Sequence, residues 1–270
     1  MILHIYLKET KMMENTFVEG FMAALLAGLI TGVGGLGIFL KKRYLKSQIN
    51  QLLNIAAGVM LAASFFSLLV PSMDEIVKHD GDIYISALKY ACTVFGGVVL
   101  IWTLNTLIPH EHNEIGHHGP HFDIKKAWLF VIAITLHKLP EGLAVGVAYG
   151  AETIINPLSL VIGIAAHNIP EGLTIAISLM AAGTKRWKAA LTAFLIGLVQ
   201  PLGALLGLGL MNFGYGFIPY GMALAGGTLL FVVINEILPE TYGSKDTNRS
   251  AAAVFIGFIV MTYLTMVFKD

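Results

Sequence analysis

Apolar residues dominate eight stretches of this chain, and short polar connections separate them. Crossing a hydrocarbon core of about 30 Å takes roughly 20 helical residues, which is the length of these stretches. The pattern therefore predicts an all-α, polytopic membrane protein with a single transmembrane domain over residues 1–270. The predicted spans are 16–40, 52–73, 86–109, 127–149, 157–181, 188–211, 217–239 and 251–268.

The composition supports a membrane setting. Hydrophobic residues make up 56% of the chain and charged residues 13%, against roughly 25% charged residues in soluble domains. The 17 basic and 17 acidic residues cancel, so no net charge draws the protein to nucleic acid. We therefore expect lipid around the protein and no nucleic-acid partner.

Basic residues are distributed unequally between the two sides of the predicted bundle. The odd-numbered connections hold eleven of them, and the opposite side, termini included, holds five. Positively charged connections stay in the cytoplasm, and an even number of spans places both ends on one side. The sequence thus predicts a cell (inner) membrane protein with both termini outside the cytoplasm. The eleven are Lys41, Lys42, Arg43, Lys46, Lys125, Lys126, Lys185, Arg186, Lys188, Lys245 and Arg249; the five are Lys8, Lys11, Lys78, Lys89 and Lys269.

The fourth and fifth spans each carry the motif His-x-x-Pro-Glu-Gly. Its histidine and glutamate are four residues apart, which places both side chains on one face of a helix. If the two helices face each other, His137, Glu141, His167 and Glu171 converge as ligands for a divalent cation. Hydrogen bonding between helices without any ion is the alternative. It must explain four ionisable groups at mid-membrane, where each ionised one costs about 3 kcal/mol, so the metal site is favoured.

A proline and a glycine accompany each pair of predicted ligands. Pro140 and Pro170 lack an N–H, so a carbonyl one turn earlier loses its helical partner and each helix should kink. A freed carbonyl in lipid needs water, a neighbour or an ion. Gly142 and Gly172 should leave room beside the glutamates. These features are typical of a conduit for an ion.

The third connection, 110–126, is rich in histidine and lies on the predicted cytoplasmic side. Such a tract binds transition metals loosely or is a solvated loop without a metal role, and composition leaves both open. Its histidines are His110, His112, His117, His118 and His121.

With its paired motifs, eight spans and histidine-rich third connection, the chain closely resembles the ZIP family of divalent metal transporters, and within it the prokaryotic branch. Further resemblance lies in Gly-Val-Met60-Leu-Ala, Gln200-Pro-Leu-Gly and Asn235-Glu236-Ile-Leu-Pro-Glu240. The resemblance implies a ZIP-type bundle, zinc uptake towards the cytoplasm and a homodimer. It also implies that spans one, four, five and six move against the rest as an elevator.

Three positions depart from the family pattern. Members with a two-metal centre have asparagine in place of Lys138 and glutamate in place of Gln200. Because an ammonium donates three hydrogen bonds and accepts none, Lys138 is predicted to fill the second metal position and leave one metal. Met60 and Gln200 would then lie at the edge of that site, and Asn168 is a further candidate there. Relatives often have histidine in place of Asn235, which weakens the expected cytoplasmic exit site, although Glu236 and Glu240 could still receive the ion.

Imidazole and carboxylate ligands suit zinc, and also Fe²⁺, Mn²⁺, Co²⁺ and Cd²⁺. The ion would be the transported substrate, and no cofactor is expected. An intramembrane metalloenzyme is the competing class, but a helix-borne zinc protease would show His-Glu-x-x-His, and a di-iron bundle Glu-x-x-His. The two motifs fit neither pattern. A non-transporting metal sensor would bind without flux.

Overall fold

A computed structural model describes residues 2–41, 44–108, 110–112, 116–118, 126–239 and 247–268. Within these ranges, eight helical segments are long and apolar enough to cross a membrane, which confirms the predicted all-α fold. They are Glu14–Phe39, Ser47–Asp80, Ile83–Leu107, Val131–Gly150, Leu158–Ala181, Arg186–Gly209, Tyr215–Ile237 and Asn248–Val267.

Several spans contain more than one kind of helix. Two of them include π-helical turns, which often mark functional positions. In chain order the α-helices are Ile2–Leu36, Lys46–Ala62, Val70–Asp80, Ile83–Leu107, Lys126–Gly150, Leu158–Ala181, Arg186–Gly197, Gln200–Gly209, Ile218–Val232 and Thr247–Val267; the π-helical segments are Ala63–Leu69 and Val233–Ile237, and short 3₁₀ turns occupy Gly37–Phe39, Leu210–Phe213 and Tyr215–Phe217.

The second span is longer than the predicted 52–73. Its last turns are polar, so hydropathy alone does not reveal them, but an ion pair of 2.5 Å between Lys78 and Glu75 supports the helix there. Gly81 ends the helix in the left-handed conformation, with φ of 73°.

The sixth span is broken where the sequence predicted one helix over 188–211. Its halves end at Gly197 and begin at Gln200, with a turn between them. Pro201 lies next to the break and cannot donate to the carbonyl of Gly197 four residues earlier. Pro140 and Pro170, by contrast, each lie inside one uninterrupted α-helix.

Part of the third connection forms a small antiparallel hairpin where the sequence predicted a loop. Strands His110–His112 and Gly116–His118 pair His110 with His118 and Glu111 with His117. His121 lies outside the described residues.

Backbones approach closely within two groups of spans. Spans one, four, five and six form the site-bearing group; spans two, three, seven and eight form the flanking group. Small residues permit such contacts in lipid. A β-carbon added to any of eleven glycines would lie within 2.3 Å of a main-chain oxygen in another span of the same group: Gly28 at Gly197, Gly197 at Gly28, Gly34 at Ile169, Gly172 at Thr31, Gly142 at Gln200, Gly146 at Ala204, Gly203 at Leu139, Gly58 at Val254, Gly257 at Ile55, Gly97 at Leu224 and Gly227 at Val94.

The expectation that Gly142 and Gly172 leave room beside the glutamates is therefore wrong. The main chain of the sixth span fills the space at Gly142, and that of the first span fills the space at Gly172. These glycines bring helices together around the site.

Contacts between the two groups are of another kind. A β-carbon on Gly163 would meet side-chain atoms, the Met261 sulfur at 2.7 Å and Val59 Cγ1 at 3.3 Å. Gly221 likewise faces the side chains of Leu210 and Val147. These two positions lack the main-chain overlap found at the glycines within the groups.

Two adjacent glycines of the third span provide a matched test of this packing. We expect Gly97→Ala to lower the melting temperature of the detergent-solubilised protein, because its methyl group would overlap the Leu224 carbonyl at 2.2 Å. Overpacking of this kind costs about 1–3 kcal/mol. Gly96→Ala is the control, since nothing lies within 4 Å of its added carbon. Equal melting temperatures for the two variants would contradict the packing described.

Candidate metal centre

The two repeated motifs lie near the middle of their helices and face each other. Glu141 comes from the fourth span and His167 and Glu171 from the fifth, and all three side chains are buried. One ligand atom from each lies within 4.8 Å of the other two. Neighbouring helices of a membrane bundle thus supply three groups suited to a divalent ion.

Ligand atoms in this trio are available to an ion. Glu141 Oε1, Glu171 Oε1 and His167 Nδ1 are buried without a hydrogen-bond partner. His167 Nε2 lies 3.5 Å from Glu141 Oε1 and 3.7 Å from Glu171 Oε2. Buried polar atoms are nearly always paired, so unpaired oxygens from two carboxylates, next to an imidazole, mark a place for a cation.

Lys138 fills the other side of the same carboxylates and is fully buried. Its Nζ donates to Glu141 Oε2 at 2.7 Å, to Asn168 Oδ1 at 2.5 Å and to Glu171 Oε2. An ammonium has three N–H donors, and each has an acceptor here. Each glutamate therefore gives one oxygen to Lys138 and keeps the other without a hydrogen bond.

Asn168 connects Lys138 to two further spans. Its Nδ2 donates to Gln200 Oε1 at 2.9 Å and to the main-chain oxygen of Ala27 at 2.7 Å. Ala27 lies in the first span and Gln200 begins the second half of the sixth. All four spans of the site-bearing group thus contribute to one polar network.

His137, the fourth predicted ligand, lies outside the trio. Its Nε2 is bonded to Glu236 Oε2 of the seventh span, and Asn105 Nδ2 of the third span donates to Glu236 Oε1. The bond from His137 to Glu236 therefore joins the site-bearing group to the flanking group. Sequence reasoning singled out Glu236 but missed Asn105, whose only signal is a polar side chain in an apolar run.

The remaining predicted positions fall in different places. Met60 is buried in the apolar core of the second span, whereas Asn235 is exposed beside the buried Glu236. Glu240 lies outside the described residues. The described part of the third connection carries His110, His112, His117 and His118 on its two strands.

A bundle of membrane-spanning helices with a buried carboxylate and imidazole cluster defines a class, the polytopic transporters of metal ions. A profile of the family described as ZIP zinc transporter matches residues 109–265. The chain is 37% identical over 252 residues to zinc transporter GufA of Myxococcus xanthus, covering 92% of this chain and 98% of that protein. It is 37% identical over 217 residues to zinc transporter ZIPB of Bordetella bronchiseptica, covering 80% of this chain and 70% of that one. With zinc transporter ZupT of Streptococcus mutans the identity is 32% over 270 residues, covering 95% and 100%.

The chain belongs to the ZIP zinc transporter family. It is a transporter and not an enzyme, and the metalloenzyme alternative finds no support among these relatives.

The position of Lys138 leads to a test of metal stoichiometry. We expect purified wild-type protein to bind one zinc ion at the centre, because the ammonium occupies the second position between the carboxylates. Lys138→Asn removes that charge and supplies an amide oxygen, so the stoichiometry should rise towards two. Elemental analysis of desalted protein measures the ratio, and Lys138→Arg, which keeps the charge, is the control. Two ions at the centre of the wild-type protein would reject the assignment.

Proposed function

We propose that this protein is a secondary transporter that carries zinc across the membrane into the cytoplasm. The observation that carries the proposal is the trio of Glu141, His167 and Glu171, with unpartnered ligand atoms buried inside a membrane bundle. Two carboxylates and an imidazole suit zinc. Relatives named zinc transporters support the same ion.

Related divalent metals are proposed as further substrates. Sites of nitrogen and oxygen ligands follow the general affinity order of divalent ions and do not select one ion sharply. Fe²⁺, Mn²⁺, Co²⁺ and Cd²⁺ therefore fit the same ligands. Metal binding needs deprotonated ligands, so loading the site releases any protons they hold.

We propose that the site-bearing group moves against the flanking group to expose the ion to either side. Main chains interlock within each group, whereas the glycines that face the other group meet side chains. The ligand trio, Lys138 and their hydrogen-bonded network lie wholly in the site-bearing group. The site can therefore move as one unit, as in an elevator.

His137 would change partners during this movement. Its bond to Glu236 crosses the boundary between the groups, so it must break when the groups slide. Once released, His137 can complete the ligands around the ion. Glu236 is then a carboxylate in the flanking group to which the departing ion can pass.

The membrane, orientation and assembly follow as further proposals. Lysine and arginine in the odd-numbered connections favour a cell (inner) membrane protein with both termini outside the cytoplasm. A homodimer fits the third and eighth spans, of whose most apolar windows only 17% and 28% are buried. The whole chain would act as one transporter domain, and the histidine-bearing hairpin would bind metal loosely on the cytoplasmic side.

Zinc uptake by cells tests the proposed function directly. We expect His167→Ala to abolish most uptake of radiolabelled zinc, because it removes the one imidazole of the trio. His79→Ala is the matched control, since His79 is an exposed histidine whose side chain is 74% accessible. Equal uptake by wild type and His167→Ala at equal expression would overturn the transporter assignment at this site. Metal binding by purified protein without uptake would indicate a sensor.

A disulfide across the boundary tests the movement. In a Cys92→Ser background, Val59→Cys and Gly163→Cys would join the two groups, since the added carbon of Gly163 lies 3.3 Å from Val59 Cγ1. We expect oxidation to stop zinc uptake and reduction to restore it. The control pair, Leu68→Cys with Gly226→Cys, lies within the flanking group, with β-carbons 3.4 Å apart, and should cross-link without stopping uptake. Continued uptake by the oxidised boundary pair would exclude relative movement there.

A further inference from the structure

We propose that Lys138 is a tethered counter-ion that allows the empty transporter to return across the membrane without an ion in its site. This inference rests on the proposed zinc transport and names a role for Lys138 in the return of the empty transporter. A carrier that delivers net zinc must reorient twice in each cycle, once loaded and once empty. The empty step is the one in which Lys138 acts.

The position of the ammonium supports this role. It bridges carboxylates from two different helices, Glu141 and Glu171, much as a metal ion between them would. It is fully buried and its third donor is bonded to Asn168, so no water is needed to satisfy it. The bridge also holds the fourth and fifth spans together when no ion is bound.

Bound metal and Lys138 need not compete for the same atoms. The ammonium uses Oε2 of each glutamate, whereas Oε1 of each makes no hydrogen bond and can be offered to an ion, Glu141 Oε1 with His167 Nε2 at 3.5 Å beside it. Lys138 can therefore remain in place through the whole cycle. Its ammonium group stays at the site, whereas the transported ion enters and leaves.

Electrostatics explains why the transporter needs Lys138 when it reorients without metal. Without metal, Glu141 and Glu171 would present two negative charges inside a bundle surrounded by lipid. Moving uncompensated charge through a region of low dielectric constant is costly, and a buried carboxylate that loses its partner is strongly destabilising. Lys138 cancels one of the two charges and hydrogen-bonds both carboxylates, which lowers the barrier to empty return.

Comparing two kinds of flux isolates the empty step. Full-length protein reconstituted in lipid vesicles is assayed for net uptake of radiolabelled zinc into zinc-free vesicles, and for exchange of labelled zinc against unlabelled zinc inside. Net uptake requires empty return, whereas exchange uses only the loaded form. Lys138→Leu removes the charge and adds no ligand atom, so it cannot recruit a second metal.

We expect Lys138→Leu to lower the ratio of net uptake to exchange by at least about tenfold, because a buried carboxylate is left unpaired in the empty form alone. Lys138→Arg should keep the ratio near that of wild type, since it keeps the charge. Lys89→Leu is the control. It removes a lysine that lies outside the site and pairs with Asp80 at 2.9 Å, so it should leave the ratio unchanged. If Lys138→Leu does not fold, Lys138→Ile makes the same comparison, since it also removes the charge and adds no ligand atom.

An unchanged ratio in the neutral variant would overturn the inference, whether both fluxes persist or both fall equally. In that case Lys138 would serve binding or packing alone, and the zinc transport of the wild type would stand. A wild-type protein with neither flux would instead overturn the proposed function itself.

Discussion

The centre of this protein depends on one buried ammonium between two carboxylates. Glu141 and Glu171 come from different helices and would repel each other, but Lys138 donates to both. Breaking such a buried pair by removing one partner is strongly destabilising, because the remaining charges stay in a region of low dielectric constant. The same contact leaves one oxygen of each glutamate without a hydrogen bond, so a single interaction stabilises the cluster and leaves oxygens for the proposed cation.

Close helix packing makes this arrangement possible. Gly142 brings the fourth span against the main chain of Gln200, and Gly172 brings the fifth span against that of Thr31. Each glycine directly follows a glutamate of the site, so the helix contact and the ligand position are fixed together. The network through Asn168 then ties the first and sixth spans to Lys138. The proposed movement rests on these main-chain contacts within one group and on the side-chain contacts at its boundary.

Regular features of the sequence were enough to predict most of the spans and the meeting of three of the four proposed ligands. The four-residue spacing within each motif correctly predicted that Glu141, His167 and Glu171 meet. The departure at Lys138 correctly predicted an ammonium hydrogen-bonded to the glutamates. Spacing within a helix does not fix which neighbour a side chain chooses, so it missed the bond between His137 and Glu236. Hydropathy likewise cannot detect a polar helix end such as that at Lys78. Nor does it predict that the span with Pro201 is broken, whereas the helices with Pro140 and Pro170 are continuous.

The place of His137 connects ion binding to movement through a single side chain. In this structure its imidazole bonds to Glu236 of the flanking group, although its motif aligns it with Glu141 on the site-bearing helix. If the ion is held by that same nitrogen, Nε2, His137 must leave Glu236 before it can act as a fourth ligand. Under the proposed transport, a cation that took this nitrogen would remove a contact between the two groups. Loading would then favour loss of the His137–Glu236 bond, and departure of the ion would favour its return, because two partners would compete for one nitrogen.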